Sequence, residues 1–214
     1  MNLHLHILSA SGTLAPFIDS ITENYNSALK VITDKIPVRN VDIVVYDNPE
    51  GTLEEDGLGG YTPNANQVFI SVNPAFDKLN ESIDKHLKRI LAHELHHTLR
   101  WQNPGYGKTL FEALITEGLA DHFDLELFNE EPEPWSNSFN KVELDKLMEK
   151  AMKELNNNTY NHFAWFYGDE DLNIPKWAGY SLGFKLVKDY LETHPEEKPS
   201  QLYSINANEF LKEV

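Results

Sequence analysis

His93-Glu94-Leu95-His96-His97 is the stretch whose residue types and spacing can do chemistry. On a helix, positions 93 and 97 lie one turn apart and about 40° around the axis, so both imidazoles can reach one metal ion. Glu94 is about 100° away, placed to act on a metal-bound water as general base rather than to ligate. The helical wheel supports this. Ile83, Leu87, Ile90, Leu91, Leu95, Thr98 and Trp101 form an apolar arc, and Glu94 falls inside it. A carboxylate there is costly unless it meets a partner or a polar cavity. His86, Arg89, His93, His96, His97 and Arg100 continue as a polar strip, and a solvated face is the expectation for His86 and Arg89. His96 is also one turn from His93. A 93/96 ligand pair therefore stays open, although it would place Glu94 worse.

Catalytic zinc sites built from histidine and carboxylate use three protein ligands and keep one position for water. The segment at roughly 108–128 is apolar nearly all round, with Leu110, Phe111, Leu114, Ile115, Leu119 and Phe123, and reads as a central helix. Glu117 and Asp121 lie on it one turn apart, beside Ala113, Leu114 and Ala120. Two carboxylates on one buried face repel and want a cation. Twenty residues separate His97 from Glu117, enough for a turn and an antiparallel return. Glu117 fits as third ligand, and Asp121 as the acceptor that orients a ligand imidazole. The alternative is that both are ion-paired in the core.

His93-Glu94-x-x-His97 followed by Glu117-x-x-x-Asp121 resembles the gluzincin pattern of thermolysin-like metallopeptidases. A wider match adds Thr98-Leu99-Arg100-Trp101, Glu117-Gly118-Leu119-Ala120-Asp121 and Trp177-Ala178-Gly179-Tyr180-x-x-Gly183. It is similar to a bacterial domain-of-unknown-function family described as predicted zinc-dependent proteases, over residues 60–190 or so. The resemblance implies a zincin fold, one zinc per chain and peptide-bond hydrolysis, with His93, His97 and Glu117 as ligands and Glu94 as catalyst. It makes His93 the imidazole that Asp121 orients. It also supports Tyr180, which sits between Gly179 and Gly183, as donor to the oxyanion. A core aromatic is the other reading of Tyr180, and His162 and Arg100 are weaker donors: His162 reads as a packed histidine, Arg100 as a surface or ion-pair residue. Thermolysin-like chains often carry Asn before the ligand glutamate, and here it is Thr116, which leaves the outer partner of His97 open. A catalytically silent, metal-stabilised binding module is the alternative function. A purely structural site needs no base and usually closes its fourth position, so Glu94 favours the enzyme.

The elements that must position these residues follow from periodicity. Leu3 to Ile7 alternates as a half-buried strand. A helical stripe follows Pro16. Val41–Tyr46 and Val68–Val72 read as strands, with the Gly59-Gly60 stretch between them as a turn. Helices are expected at roughly 80–101, 108–128 and 139–155, and from Pro175 to about Thr193. Strands first and helices second give an α+β, zincin-like fold: a small N-terminal mixed sheet with a backing helix, then active-site, glutamate and C-terminal helices. One domain over 1–214 is expected, sheet-rich over 1–79 and helical over 80–214. The strand Val68–Val72 and Gly59-Gly60-Tyr61 are candidates for the edge of a substrate cleft, where an extended peptide adds as a strand. The aromatic run Tyr160–Tyr167 reads mainly as core.

Composition narrows the partners. At 214 residues, 41% hydrophobic and 24% charged, the chain can bury a core and is not of disordered type. A formal charge of −16 argues against tracking nucleic-acid phosphates or anionic membrane and weakly favours neutral or basic partners, although a surplus that only keeps the chain soluble is the preferred reading; a peptide or protein substrate is what the family resemblance implies. There is no cysteine, which excludes disulfides and thiol chemistry and restricts any metal to His and carboxylate donors. Met1–Pro16 lacks a basic segment and a continuous apolar run, so no secretory signal is read there and a cytoplasmic location is expected. Oligomeric state is not legible.

Overall fold

The computed structural model describes residues 2–213. Met1 and Val214, the ends of the expected single domain, lie outside the described residues. The chain forms two compact units, Met1–Gln102 and Asn103–Val214.

The first unit starts with β1 (Leu3–Ile7), whose leucines are half-buried and whose histidines face outward, as alternation requires. A 3-10 turn holding Pro16 leads into α1 (Ile18–Thr33), with Ile21, Tyr25, Ala28 and Ile32 as its buried stripe. β2 (Val41–Asp47) pairs parallel to β1, and α1 is the crossover that parallel pairing needs. β3 (Leu58–Asn64) and β4 (Gln67–Val72) form a hairpin, and β4 also pairs parallel to β2. The four-stranded order is β1-β2-β4-β3. Val41, Ile43, Val45, Val68, Ile70 and Val72 turn to the core. α2 (Leu79–Gln102) packs on α1, β3 and β4 through Ile83, Leu87, Leu91 and Leu95.

Two expectations are corrected here. Val68–Val72 is an interior strand, because β3 pairs with its outer side; the edge beside α2 is β3 itself. Gly59-Gly60 belongs to that strand and is not a turn. Gly59, Gly60 and Pro63 weaken a strand, and an edge is the place that tolerates them.

The second unit is helical. α3 (Leu110–Phe128) begins with a capping box, Thr109 with Glu112, and ends at Asn129 in the left-handed region. α4 (Lys141–Ala151) has a second capping box, Asn140 with Glu143. It stops before residue 155, since Lys153 and Glu154 donate to carbonyls three residues back and tighten the chain into turns. The aromatic run contains α5 (His162–Tyr167). α6 (Ala178–Thr193) starts three residues after Pro175, because Trp177 takes a left-handed φ of 71°. α7 (Pro199–Leu202) and a 3-10 segment close the unit. α3 crosses α6 at Gly118 and Gly183. A Cβ on Gly118 would lie 2.2 Å from the Gly183 carbonyl oxygen, and one on Gly183 would lie 2.1 Å from that of Leu114. Around this crossing pack Phe111, Ile115, Leu119, Trp165, Phe166, Leu182, Leu186, Val187 and Phe210. Among the described residues no helix is long and apolar enough to cross a membrane.

Candidate metal centre

In the first unit, α2 brings His93 and His97 together. Their rings meet edge to face at 89°, centroids 4.5 Å apart, with the two Nε2 atoms separated by 2.9 Å. Two imidazole nitrogens converging from one helical turn are what a divalent ion with N donors requires. The ring that faces His93 is that of His97, while His96 is fully buried; the 93/97 pairing is the one the helix builds.

Glu94 is buried at 6% exposure, and its surroundings come from β3. The Thr62 hydroxyl reaches its Oε2 at 2.6 Å and its backbone carbonyl at 3.0 Å. Thr62 is itself anchored, because Trp101 Nε1 donates to its carbonyl at 2.9 Å. Gly60 lies against the carboxylate, where a Cβ would stand 2.3 Å from Oε1. The edge strand thus supplies the polar partner that an acid in an apolar arc needs. Arg89, expected on a solvated face, is 6% exposed, and Arg100, read as a surface or ion-pair residue, is not on the surface at 1%. The burial of every residue from Glu94 to Arg100 shows why: α2 is enclosed well beyond its apolar arc. His86 is half-covered, with Nε2 3.4 Å from Asp56.

In the second unit, Glu117 is buried at 4% exposure on α3. Its Oε1 accepts a hydrogen bond from the Tyr106 hydroxyl at 2.5 Å. Thr116, the residue that departs from the thermolysin-like pattern, donates through Oγ1 to the Tyr106 carbonyl at 2.7 Å. Burial and the Glu117 charge push the Tyr106 phenol well above its ordinary range, and do the same to Tyr180, which also bonds Tyr167. Both therefore remain neutral donors. Tyr180 is half-buried on α6, edge-on to Phe166 at 4.9 Å. Asp121 accepts from Trp135 Nε1 at 3.2 Å and from the Ser136 hydroxyl at 2.7 Å, so it anchors the loop after α3.

His162 is exposed rather than enclosed. It stacks on Phe166 at 4.4 Å and meets the Tyr160 hydroxyl through Nδ1 at 2.9 Å. Trp165 and Phe166 are core, as expected, but Phe163 and Tyr167 are exposed and stack on each other at 5.0 Å. α5 is a short helix with one buried face, and its other face carries these two rings.

The family pattern described as predicted Zn-dependent protease (DUF2268) matches residues 17–212. The chain belongs to that family. The match runs beyond the motif-bearing stretch and takes in α1 and most of the sheet, to which the motifs give no clue. No curated protein and no solved structure matches the chain. For a family so described, the donor set fits zinc: paired imidazoles, a buried carboxylate and no thiol. Thr62 and Tyr106 escaped the reading of the sequence, and Gly60 was read as a turn or cleft edge without its contact to Glu94. Pro63 was the available sign that residues 58–64 form an edge strand; Tyr106, between two glycines, carries no periodic sign at all.

Proposed function

We propose that the chain is a one-zinc peptidase of gluzincin type, with His93, His97 and Glu117 as ligands and Glu94 as general base. The observation that carries this reading is the 2.9 Å approach of the two Nε2 atoms on α2, one residue from a buried glutamate. The side chains of His93, His97 and Glu117 each offer a donor atom that zinc accepts, an imidazole nitrogen or a carboxylate oxygen. Zinc held there supplies Lewis acidity and a water far more acidic than bulk water. Glu94 takes the proton of the attacking water on Oε1, since Thr62 holds Oε2, and passes it to the leaving amine. Tyr180 donates its phenolic proton in a hydrogen bond to the scissile carbonyl oxygen as charge develops on it. Asp121 orients the His93 ring through the imidazole nitrogen not used for the metal. The substrate is a peptide or protein whose extended segment pairs with the outer edge of β3, beside Glu94.

The test is metal analysis of the purified full chain together with cleavage of a peptide library. About one zinc per chain is expected, as a three-ligand catalytic site implies. Glu94→Gln should keep fold and zinc and lose cleavage, because an amide cannot accept the proton. His97→Ala should lose both. Equal turnover by wild type and Glu94→Gln refutes the mechanism. Zinc uptake without any cleavage by wild type favours a silent binding module instead.

A further inference from the structure

The structure assigns a part in the metal centre to Tyr106: it is a positioning residue that fixes Glu117 as a one-oxygen ligand, and Thr116 holds Tyr106 in place for it. This rests on the zinc reading above. A glutamate carboxylate rotates broadly about its last torsion and offers either oxygen, or both. In a buried site that freedom must be removed before the ion can be held in one geometry. The Tyr106 hydroxyl bonds Oε1, and in this assignment Oε2 is the oxygen that takes the metal. A short O–H···O⁻ bond of this kind is among the stronger neutral-donor contacts and also offsets the cost of burying the charge.

The phenol can only position Glu117 if its own backbone is fixed, and hydrogen bonds between its loop and α3 within the second unit fix it. Thr116 Oγ1 donates to the Tyr106 carbonyl, so adjacent residues of α3 grip Tyr106 at both ends. Gly105 and Gly107 flank it at φ 116° and 127°, which side chains rarely adopt. A Cβ on Gly107 would lie 2.5 Å from that of Glu112, so this loop rests on the first turn of α3. The Lys108 and Thr109 amides donate to Glu112 Oε2 at 2.7 and 3.0 Å. The loop is thus built onto the helix that carries the ligand, and Thr116 has a defined task where thermolysin-like chains often carry Asn.

The experiment is zinc titration of the full-length chain against a competing chelator, beside thermal melts of the metal-free forms. Tyr106→Phe keeps the ring and removes the donor. It should weaken zinc binding roughly 10–100-fold, the usual cost of losing a partner of a ligand. Thr116→Val should weaken it as well, and Thr116→Ser, which keeps the hydroxyl, should restore it. A merely structural role would lower the apo melting temperature of Tyr106→Phe and Thr116→Val and leave zinc affinity at the wild-type value; that result overturns the proposal. If Tyr106→Phe fails to fold, the Thr116→Val and Thr116→Ser pair decides, and equal zinc affinity in both overturns it. Glu117→Ala separates the levels. Zinc lost in Glu117→Ala but retained in full by Tyr106→Phe rejects Tyr106 alone. A wild-type chain without zinc, or a Glu117→Ala variant that binds it unchanged, rejects the centre and this assignment with it.

Discussion

Glu94 is held by two residues of one strand that act in opposite ways. Thr62 attracts its Oε2, and Gly60 leaves the space its Oε1 occupies. Gly60→Ala should push the carboxylate aside and lower turnover on the order of 10²-fold, as displacements of about 1 Å do at a reacting centre. Zinc affinity should not change, because neither ligand imidazole is touched. Thr62→Val should act in the same direction, and Thr62→Ser should recover most of the rate. Loss of zinc together with rate in Gly60→Ala would contradict this division of labour. The chemistry at this scale was legible where it was periodic: an acid inside an apolar helical arc, with histidines at the right spacing. Its partners were not, since nothing in a linear pattern connects a threonine on a strand to a glutamate on a helix far along the chain. Asp121 is a case where both uses of a residue bear on the outcome. It anchors Trp135 and Ser136, so Asp121→Asn should lower the apo melting point to some degree. A 10–100-fold loss of zinc affinity on top of that is what the proposed role toward His93 predicts, and an unchanged affinity would confine it to the loop.

At the scale of elements, the long helices were legible: α1, α2, α4 and α6 carry a 3.6-residue pattern and α3 a long apolar run, whereas the short α5 and α7 were not read as helices. β3 was not legible either. It is short, holds two glycines and a proline, and alternates weakly, so local propensity pointed to a turn and only pairing with β4 makes it a strand. The misplacement of the sheet edge followed from that one omission. α3 and α6 meet through small residues, which permit a close approach. At their crossing the nearest atoms a methyl group would meet are backbone, with the Val187 side chain next at Gly118. Gly183→Ala and Gly118→Ala should each cost about 1–3 kcal/mol, the range for forcing extra volume into a packed core, although alanine is the better helix former. The denaturant midpoint measures it; a neutral or stabilising Gly183→Ala would show that the helices can part without cost.

At the scale of the molecule, the acidic charge and the burial of tyrosines set how stability varies with conditions. Burial, then the Glu197 carboxylate that Tyr190 bonds at 2.9 Å, push Tyr190 up to about 12, and burial with Glu117 and Glu112 does the same to Tyr160. A folded-state value above the unfolded one near 10 means the folded chain keeps protons that the unfolded chain releases. The stabilisation is complete below about pH 10 and is lost as pH climbs from there towards 12. Denaturant midpoints across that window should fall, and Tyr190→Phe should fall less steeply than wild type; identical slopes would exclude Tyr190 as a contributor. Zinc should act on the same equilibrium. An ion bound only by the folded chain adds about 4 kcal/mol at a thousandfold excess over its dissociation constant, so melting temperature should rise with zinc and return on chelation. Fold class was readable from the sequence, whereas two compact units and the enclosure of Arg89 and Arg100 depend on contacts distant in sequence.

The Gly118–Gly183 crossing works as a hard stop. Most neighbouring elements in a protein are spaced by side chains, which bend to new rotamers when their surroundings change, so spacing drifts as sequences drift. Main chain against main chain has nothing comparable to yield. Glu117 stands one residue from that stop, on the helix it arrests. Random substitution of the aliphatic residues around it should therefore yield many variants that melt earlier and few that bind zinc differently, a separation of two phenotypes that a library sorted on both would reveal.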